Sequence, residues 1–450
     1  MPVTAAPTVA IVGAGVAGLT AAQRLAGQGL AVTVLEARSR LGGRIDTRHD
    51  FGPCAIELGA EFVHGRHREL VRLIEEAGLH LEPRRFDPLV LQDGRDVTDP
   101  QAWQAVFAVL ADPDAPDVPM AERARALAAS GALPERAVDT MCRYVEGYMA
   151  ADFERVSARA ISLEERAAEG IASPTDASIA EGYDALVRHL ARSLQQRNAR
   201  ILTSTVVQEI RWRRGRVRIR ARDGAGSAIV DADRVLVTVP LTILQLDGDA
   251  HGAIAFEPPL PDKTAAARAL AMGNVVKLFL LLHGPLERIP NLSETVAAKL
   301  STMTFLQTPD APVPTWWKIG TKRTPVLVGW SGGAAAERLS QLDDRAVVAA
   351  GIETLARALS VPADVIAAHV RDAAAVNWLR DPWSRGAYSW VPAGAPKAAA
   401  TLAAPVDATL FFAGEATDTA GYRGTVHGAL ETGLRAAQQI LDSVAGAGDR

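Results

Sequence analysis

Thr8-Val-Ala-Ile-Val12 is an unbroken apolar run that gives way at once to Gly13-Ala-Gly15-Val-Ala-Gly18. Behind the glycines, Leu19–Ala26 has a helical pattern, and a second apolar run spans Ala31–Leu35. This succession predicts a strand, a tight turn, a helix and a second strand. From about residue 100 to 170 the pattern turns helical and rich in Ala, Arg and Glu, as in Ala121–Ala129 and Pro134–Met141, which predicts a separate helical cap. Extended patterning returns over Arg200–Ile210, crosses a turn at Arg214-Gly215, and resumes at Arg234–Pro240. After Pro258-Pro259 come strands at Val275–Leu282 and Pro325–Trp330 and a helix near Asp343–Leu359, where Val347, Val348, Ile352 and Leu355 recur at helical spacing. A strand at Thr409–Phe412 and a helix from about Thr425 to Val444 follow.

Composition sharpens this picture. The chain has 450 residues, 48% of them hydrophobic and 22% charged, which excludes disorder as the dominant state and provides for substantial cores. Lys plus Arg number 48 against 52 Asp plus Glu, a net charge of −4, so no whole-chain field draws the protein to nucleic acid or anionic lipid. The arginine-rich stretch Arg211–Arg222 alternates about Gly215 and predicts a hairpin with one solvated basic face rather than a nucleic-acid patch. Cys54 and Cys142 have neither C-x-x-C nor metal-ligand spacing, and His64 and His67 form no H-E-x-x-H, so no disulfide framework and no metal site are expected. No apolar run approaches the ~18–20 residues of a membrane helix. The first eight residues lack the features of a secretion signal, so the expected location is cytoplasmic.

Several positions carry candidate chemistry. Gly13 permits the tight turn, Gly15 lets a pyrophosphate approach backbone, and Gly18 lets helix pack closely on strand, with the helix N-terminus facing the phosphates. Glu36, at the tip of the second strand, stands where a dinucleotide fold places its ribose-binding acid. The turn after it holds Arg38, Arg40 and Arg44, guanidinium groups suited to phosphate or to a ribityl chain. Lys277 sits inside an apolar strand, where a cation is costly unless something receives it; the alternative is an edge-strand lysine reaching water.

Glu36–Arg44, Glu57-Leu-Gly-Ala-Glu-Phe-Val-His-Gly65, Met272-Gly-Asn-Val-Val-Lys-Leu278, Asn377-Trp-Leu-Arg-Asp-Pro-Trp-Ser-Arg-Gly-Ala-Tyr-Ser389 and Phe412-Ala-Gly-Glu-Ala416 together resemble the flavin-dependent amine oxidases. That family includes monoamine oxidases, polyamine oxidases and lysine-specific histone demethylases. The resemblance runs from residue 8 to about 440 in the family's order. It implies an α/β fold: a Rossmann-like (GR2-type) FAD-binding domain from residues 1–80, 179–260 and 382–450, with a discontinuous α+β substrate domain from 81–178 and 261–381 and the site between them. Implied FAD contacts are Gly13, Gly15, Gly18, Glu36, Arg38, Gly43, Arg44, Gly59, Ala60, Glu61, Val207 (adenine), Gly414 and Glu415 (ribityl), with Thr425 and Val426 presenting N–H groups to the flavin pyrimidine.

The resemblance further implies that Lys277 holds a water against flavin N5 and assists reoxidation, that Tyr388 forms an aromatic wall beside the flavin, and that His64 lies near the substrate amine. Ala387 stands where monoamine oxidases carry the cysteine bonded to flavin, so the FAD is expected to be non-covalent. Thr425 replaces the tyrosine of their second aromatic wall, which looks closer to the polyamine oxidases and demethylases.

The implied reaction moves hydride from the α carbon of a primary, secondary or polyamine substrate to flavin N5, giving an imine or aldehyde and hydrogen peroxide. The expected partners are a small amine and oxygen, with neither nucleic acid nor membrane, and with a homodimer left open. Alternatives on the same fold are an L-amino-acid oxidase, with Arg84, Arg85 or Arg380 as candidate carboxylate partners, an FAD-dependent desaturase, and a low-turnover flavin-binding interaction protein.

Overall fold

A computed structural model describes residues 6–85, 88–173, 175–197, 199–319 and 325–448. The first apolar run is the strand Thr8–Val12, followed by the helix Val16–Gly27 and the strand Ala31–Leu35. These strands pair in parallel and belong to a five-stranded parallel sheet in the order Leu410–Phe412, Arg234–Val237, Thr8–Val12, Ala31–Leu35, Ala199–Leu202. The helix Val16–Gly27 packs between this sheet, the helix Asp184–Gln195 and the long last helix Val426–Gly448, burying Leu19, Leu25, Leu190, Leu430 and Ile440 in one apolar cluster. These helices cover one face of the sheet, while Ala10, Val12 and Leu35 on the other face pack against Ile210, Val217 and Ile219, so both faces are buried and the runs are continuously apolar instead of alternating.

The stretch Arg200–Ile210 is not one extended segment. It divides at Ser204, whose φ is 50°, into Ala199–Leu202 of the parallel sheet and Val206–Arg213 of a separate four-stranded sheet. A left-handed residue cannot continue a strand, and both halves have the same β-branched, apolar composition, so the pattern conceals the break. Val206–Arg213 and Arg216–Asp223 form an antiparallel hairpin around Gly215, with Val217, Ile219 and Ala221 buried and Arg216, Arg218, Arg220 and Arg222 exposed. Asp231 pairs with Arg218, and Glu209 with Arg211 and Arg220.

A seven-stranded mixed sheet runs Val370–Asn377, Val275–Leu282, Val326–Gly332, Thr315–Lys318, Phe305–Gln307, Pro88–Gln92, Arg95–Asp96. Val275–Leu282 is an interior strand, and alternation sends its side chains to two different cores. Val276, Leu278, Leu280 and Leu282 pack toward the helix Asp344–Leu359. Phe279 and Leu281 pack against Phe51 and Ile56, and Lys277, on that same face, is directed at the Glu57–Glu61 segment.

The helices Pro100–Leu110, Met120–Ala129, Glu135–Gly147 and Ala158–Gly170 form the cap around Val106, Met120, Met141 and Ile161. The hydrogen bonds that fasten it down include Tyr388 Oη to Tyr148 O (2.5 Å), Trp330 Nε1 to Gly147 O (2.7 Å), Ser157 N to Val391 O and Ala393 N to Arg155 O (both 2.9 Å). Among the described residues, no single helix is long and apolar enough to cross a membrane.

Candidate active site

One cavity of about 830 Å³ runs from the glycine turn to the cap, within the range of small-molecule and cofactor sites. At its first end Gly13 has φ 109°, and a Cβ there would lie 2.7 Å from Thr238 Oγ1. A Cβ on Gly18 would lie 2.1 Å from Gly13 O, which no side chain can do without moving backbone. Gly15, Val16 and Ala17 border the cavity at the uncapped, positive end of the helix. Glu36 is buried, taking Ala14 N (2.8 Å) on one oxygen and Arg38 N (2.9 Å) on the other, so the acid is fixed by the same turn it follows. Val207 lines this end.

The three arginines divide their work. Arg38 donates to Asp381 (2.5 Å) and Ser384 (2.9 Å), and Arg44 to Ala387 O (2.6 Å) and Glu415 (2.8 Å); both border the cavity. Arg40 instead braces the turn, donating to the carbonyls of Leu41, Gly43 and Ile45 and pairing with Asp46, away from the cavity wall. Gly43, Gly59, Ala60 and Gly414 are on the wall.

Glu415 is buried and collects Arg44, Ser389 Oγ (2.7 Å) and Gly424 N (3.2 Å). Burial alone would raise its pKa, but the Arg44 charge and these hydrogen bonds hold it below the usual carboxylate range. Thr425 Oγ1 donates to Tyr422 O (2.7 Å) and accepts Gly428 N (3.0 Å), capping the last helix, with Val426 beside it on the wall. Tyr388 packs over Gly424, a Cβ on which would lie 3.2 Å from the ring, and its hydroxyl is tied to the cap.

Lys277 is 1% exposed, and its ammonium donates to Glu57 O (2.8 Å), Gly59 O (3.0 Å) and Glu61 Oε2 (2.9 Å). Trp317 Nε1 donates to the other oxygen of Glu61 (2.8 Å). The interior strand explains why this lysine cannot reach water. Lys277, Glu61, Trp317 and Trp330 all border the cavity.

On the cap side, His64 Nδ1 lies 2.9 Å from Asp176 Oδ2, and its ring meets Tyr148 edge-on. Burial would raise the Asp176 pKa, but His64 and Gly65 N hold it low. Tyr144 and Tyr148 stack (5.2 Å), and Tyr144 Oη donates to Glu165 (2.8 Å). Burial pushes Glu164 up to about 8 despite the neighbouring Arg423 charge. Trp103 and Phe107 line the same arm.

Sequence reasoning did not find Trp317, Asp176, Tyr144, Tyr148, Glu164 or Glu165; the four-residue spacing of Tyr144 and Tyr148 on a helix was the local signal available. Of the three candidate carboxylate partners, Arg84 borders the cavity, bonded to Ser178 and Lys318 O. Arg380 is engaged by Asp344 and the carbonyls of Ser340 and Leu342 outside it, and Arg85 is exposed.

Beneath the last helix's first turn, His427 stacks on His67 (5.0 Å, 23°), and Tyr422 meets both edge-on. Burial, then the charges His67 and His64 would carry, pulls the His427 pKa down to about 3. The unfolded chain therefore takes up this proton below its ordinary value near 6.5 while the folded chain does not. Stability is complete above pH 6.5 and falls by roughly 1.4 kcal/mol per pH unit from there toward pH 3 through this group. Melting temperatures of wild type and His427→Phe across that window should diverge on the acid side; parallel curves would refute the assignment.

The family model for flavin containing amine oxidoreductase matches residues 16–441. Among curated proteins, lysine-specific histone demethylase 2 of Homo sapiens is 29% identical over 478 residues, covering 96% of this chain and 53% of that protein, so the chain spans about half its length. Polyamine oxidase 3 of Oryza sativa subsp. japonica is 30% identical over 468 residues, covering 96% and 89%. Two solved structures share the fold. A putrescine oxidase bound to putrescine is 23% identical, covering 97% and 100%, with TM-score 0.76. Cyclohexylamine oxidase from Brevibacterium oxydans IH-35A is 22% identical, covering 99% and 100%, with TM-score 0.77. With its family match running nearly end to end, the chain belongs to the flavin-containing amine oxidoreductases.

Proposed function

We propose that the protein is an FAD-dependent oxidase of small amines, with FAD bound non-covalently between a cofactor domain (residues 1–80, 179–260 and 382–450) and a substrate domain (81–178 and 261–381). The observation that carries this reading is one continuous cavity that begins at a dinucleotide-type glycine turn and ends among aromatic rings and carboxylates. Glu36 fits a ribose, the N-terminus of the helix Val16–Gly27 a pyrophosphate, and Thr425 with Val426 the polar edge of a flavin. Alanine at position 387 offers no thiol for a covalent bond.

Bound here, FAD would supply the acceptor for a hydride from the carbon beside the amine nitrogen and hand the electrons to oxygen as hydrogen peroxide, leaving an imine that hydrolyses to a carbonyl compound. The chain's own groups prepare the substrate. His64, oriented by Asp176, takes up the ammonium proton, since a protonated amine has no lone pair to form the imine. Tyr388 supplies an apolar face that orients the reacting carbon. In the outer arm, Tyr144 and Tyr148 supply ring faces that suit a chain carrying a second cationic group, and the buried Glu164 and Glu165, raised by desolvation, would give up their protons to such a cation as it binds.

The test is anaerobic bleaching of the yellow protein by monoamines, diamines, polyamines and amino acids. Diamines should bleach at least tenfold faster at low concentration than monoamines of equal length, and readmitted air should restore the colour with peroxide formed. No bleaching by any amine would end this reading. Arg84 on the cavity wall favours a second one, amino-acid oxidation, which bleaching by amino acids alone would establish.

A further inference from the structure

An ammonium has three N–H donors, and all three of Lys277's are committed to protein: two to carbonyls of the 57–59 segment and one to Glu61. Rings of Phe279, Trp317 and Trp330, 5.7 to 5.9 Å from Nζ, surround it. The Glu61 carboxylate is equally constrained, held between Lys277 and the Trp317 indole, with side chains 1% and 5% exposed for lysine and glutamate. The cation is therefore not a lone charge on the cavity wall but one half of a buried, neutral pair. Such pairs add little stability over apolar residues of the same volume, so their electrical effect is the more informative property.

We propose that Glu61 is a positioning residue for Lys277: it fixes the direction of the ammonium, cancels most of its charge at the cavity, and thereby holds down the reduction potential of the bound flavin. The proposal rests on the reading that this cavity holds a flavin. Two-electron reduction adds negative charge to the flavin, which an uncompensated cation on the wall favours and a compensated one favours much less. Glu61, and not Lys277 alone, then sets how readily the cofactor accepts the hydride.

The experiment is a potential measurement by equilibration with a reference dye, using chemically reduced holoprotein, so that no amine is needed. Glu61→Gln keeps the shape and one acceptor oxygen of the side chain and removes the charge. It should shift the dye equilibrium at least tenfold toward reduced flavin, about +30 mV for a two-electron couple. Lys277→Met should shift it in the opposite direction, and the Glu61→Gln/Lys277→Met double variant should return close to wild type. Glu61→Asp, which keeps the charge, should also match wild type.

An unchanged potential in Glu61→Gln would overturn the proposal, as would a double variant that keeps the full Glu61→Gln shift, which would mean that the Lys277 charge plays no part. Should Glu61→Gln fail to fold, Lys277→Met against the double variant reads the same charge. A wild-type protein that takes up no flavin would instead sink the reading of the cavity, whereas a yellow one with an indifferent Glu61→Gln sinks this proposal alone.

Discussion

Gly18→Ala should give a colourless protein. The added methyl would sit 2.1 Å from Gly13 O and 2.9 Å from Thr238 Oγ1, and the first of these is backbone that cannot rotate away. Either the helix Val16–Gly27 lifts off the strand Thr8–Val12 or the turn opens, and both disrupt the cradle that the glycines build. Overpacking of this kind costs about 1–3 kcal/mol or more. Loss of flavin should be the larger effect, because on the proposed reading the turn is itself the binding surface. Gly15→Ala is the control: the nearest atom to its Cβ is Gly42 O at 3.9 Å, so the variant should fold normally and lose flavin affinity only because the methyl intrudes on the cavity. Flavin absorbance per mole of purified protein, before and after added FAD, decides between these outcomes. Full stoichiometric flavin in Gly18→Ala would contradict the assignment of this turn.

Lys277→Met should slow reoxidation by oxygen by roughly 10²–10³-fold, the typical cost of removing one preorganised electrostatic group. The substitution takes the wall from a neutral pair to a bare Glu61 carboxylate, which opposes the anion formed when oxygen accepts its first electron. Leaving that carboxylate buried without its partner should also cost about 3–5 kcal/mol of stability. Reduced protein mixed rapidly with aerated buffer gives the rate, and denaturant unfolding gives the stability. An oxidation rate equal to wild type would remove Lys277 from the oxidative step.

The parts of the fold that were legible are those written locally. Thr8–Val12, Ala31–Leu35 and Val275–Leu282 match their apolar runs end to end, because a continuous buried strand leaves its signature in consecutive residues. Local writing also fails in a defined way: the break at Ser204 is marked only by the polar run Thr203-Ser204-Thr205, without glycine or proline, and β-branched threonines read as strand, so the division of Arg200–Ile210 between two sheets was missed.

The candidate site was legible where a motif holds it together, and it was missed where partners come from distant segments. Lys277 was marked by the cost of a cation in an apolar strand, but the identity of its receiver depends on how the Glu57–Glu61 segment docks on a different sheet. Glu61 was expected beside the cofactor and borders the cavity, but its two partners, Lys277 and Trp317, come from another sheet and could not be read locally. Asp176 and His64 lie far apart along the chain and meet only in the folded molecule. Arg40 looked equivalent to Arg38 and Arg44, and only the path of the turn shows that it braces backbone instead.

Hydrogen bonds from the sheet strands and the 388–393 segment tie the cap down at Gly147, Tyr148, Arg155 and Ser157. Slender amines would slip in and out at little cost, while branched ones would be filtered at the threshold, before any chemistry begins. On the proposed reading, selectivity among amines would then be exercised partly by passage, and widening the diet would mean trimming the rim.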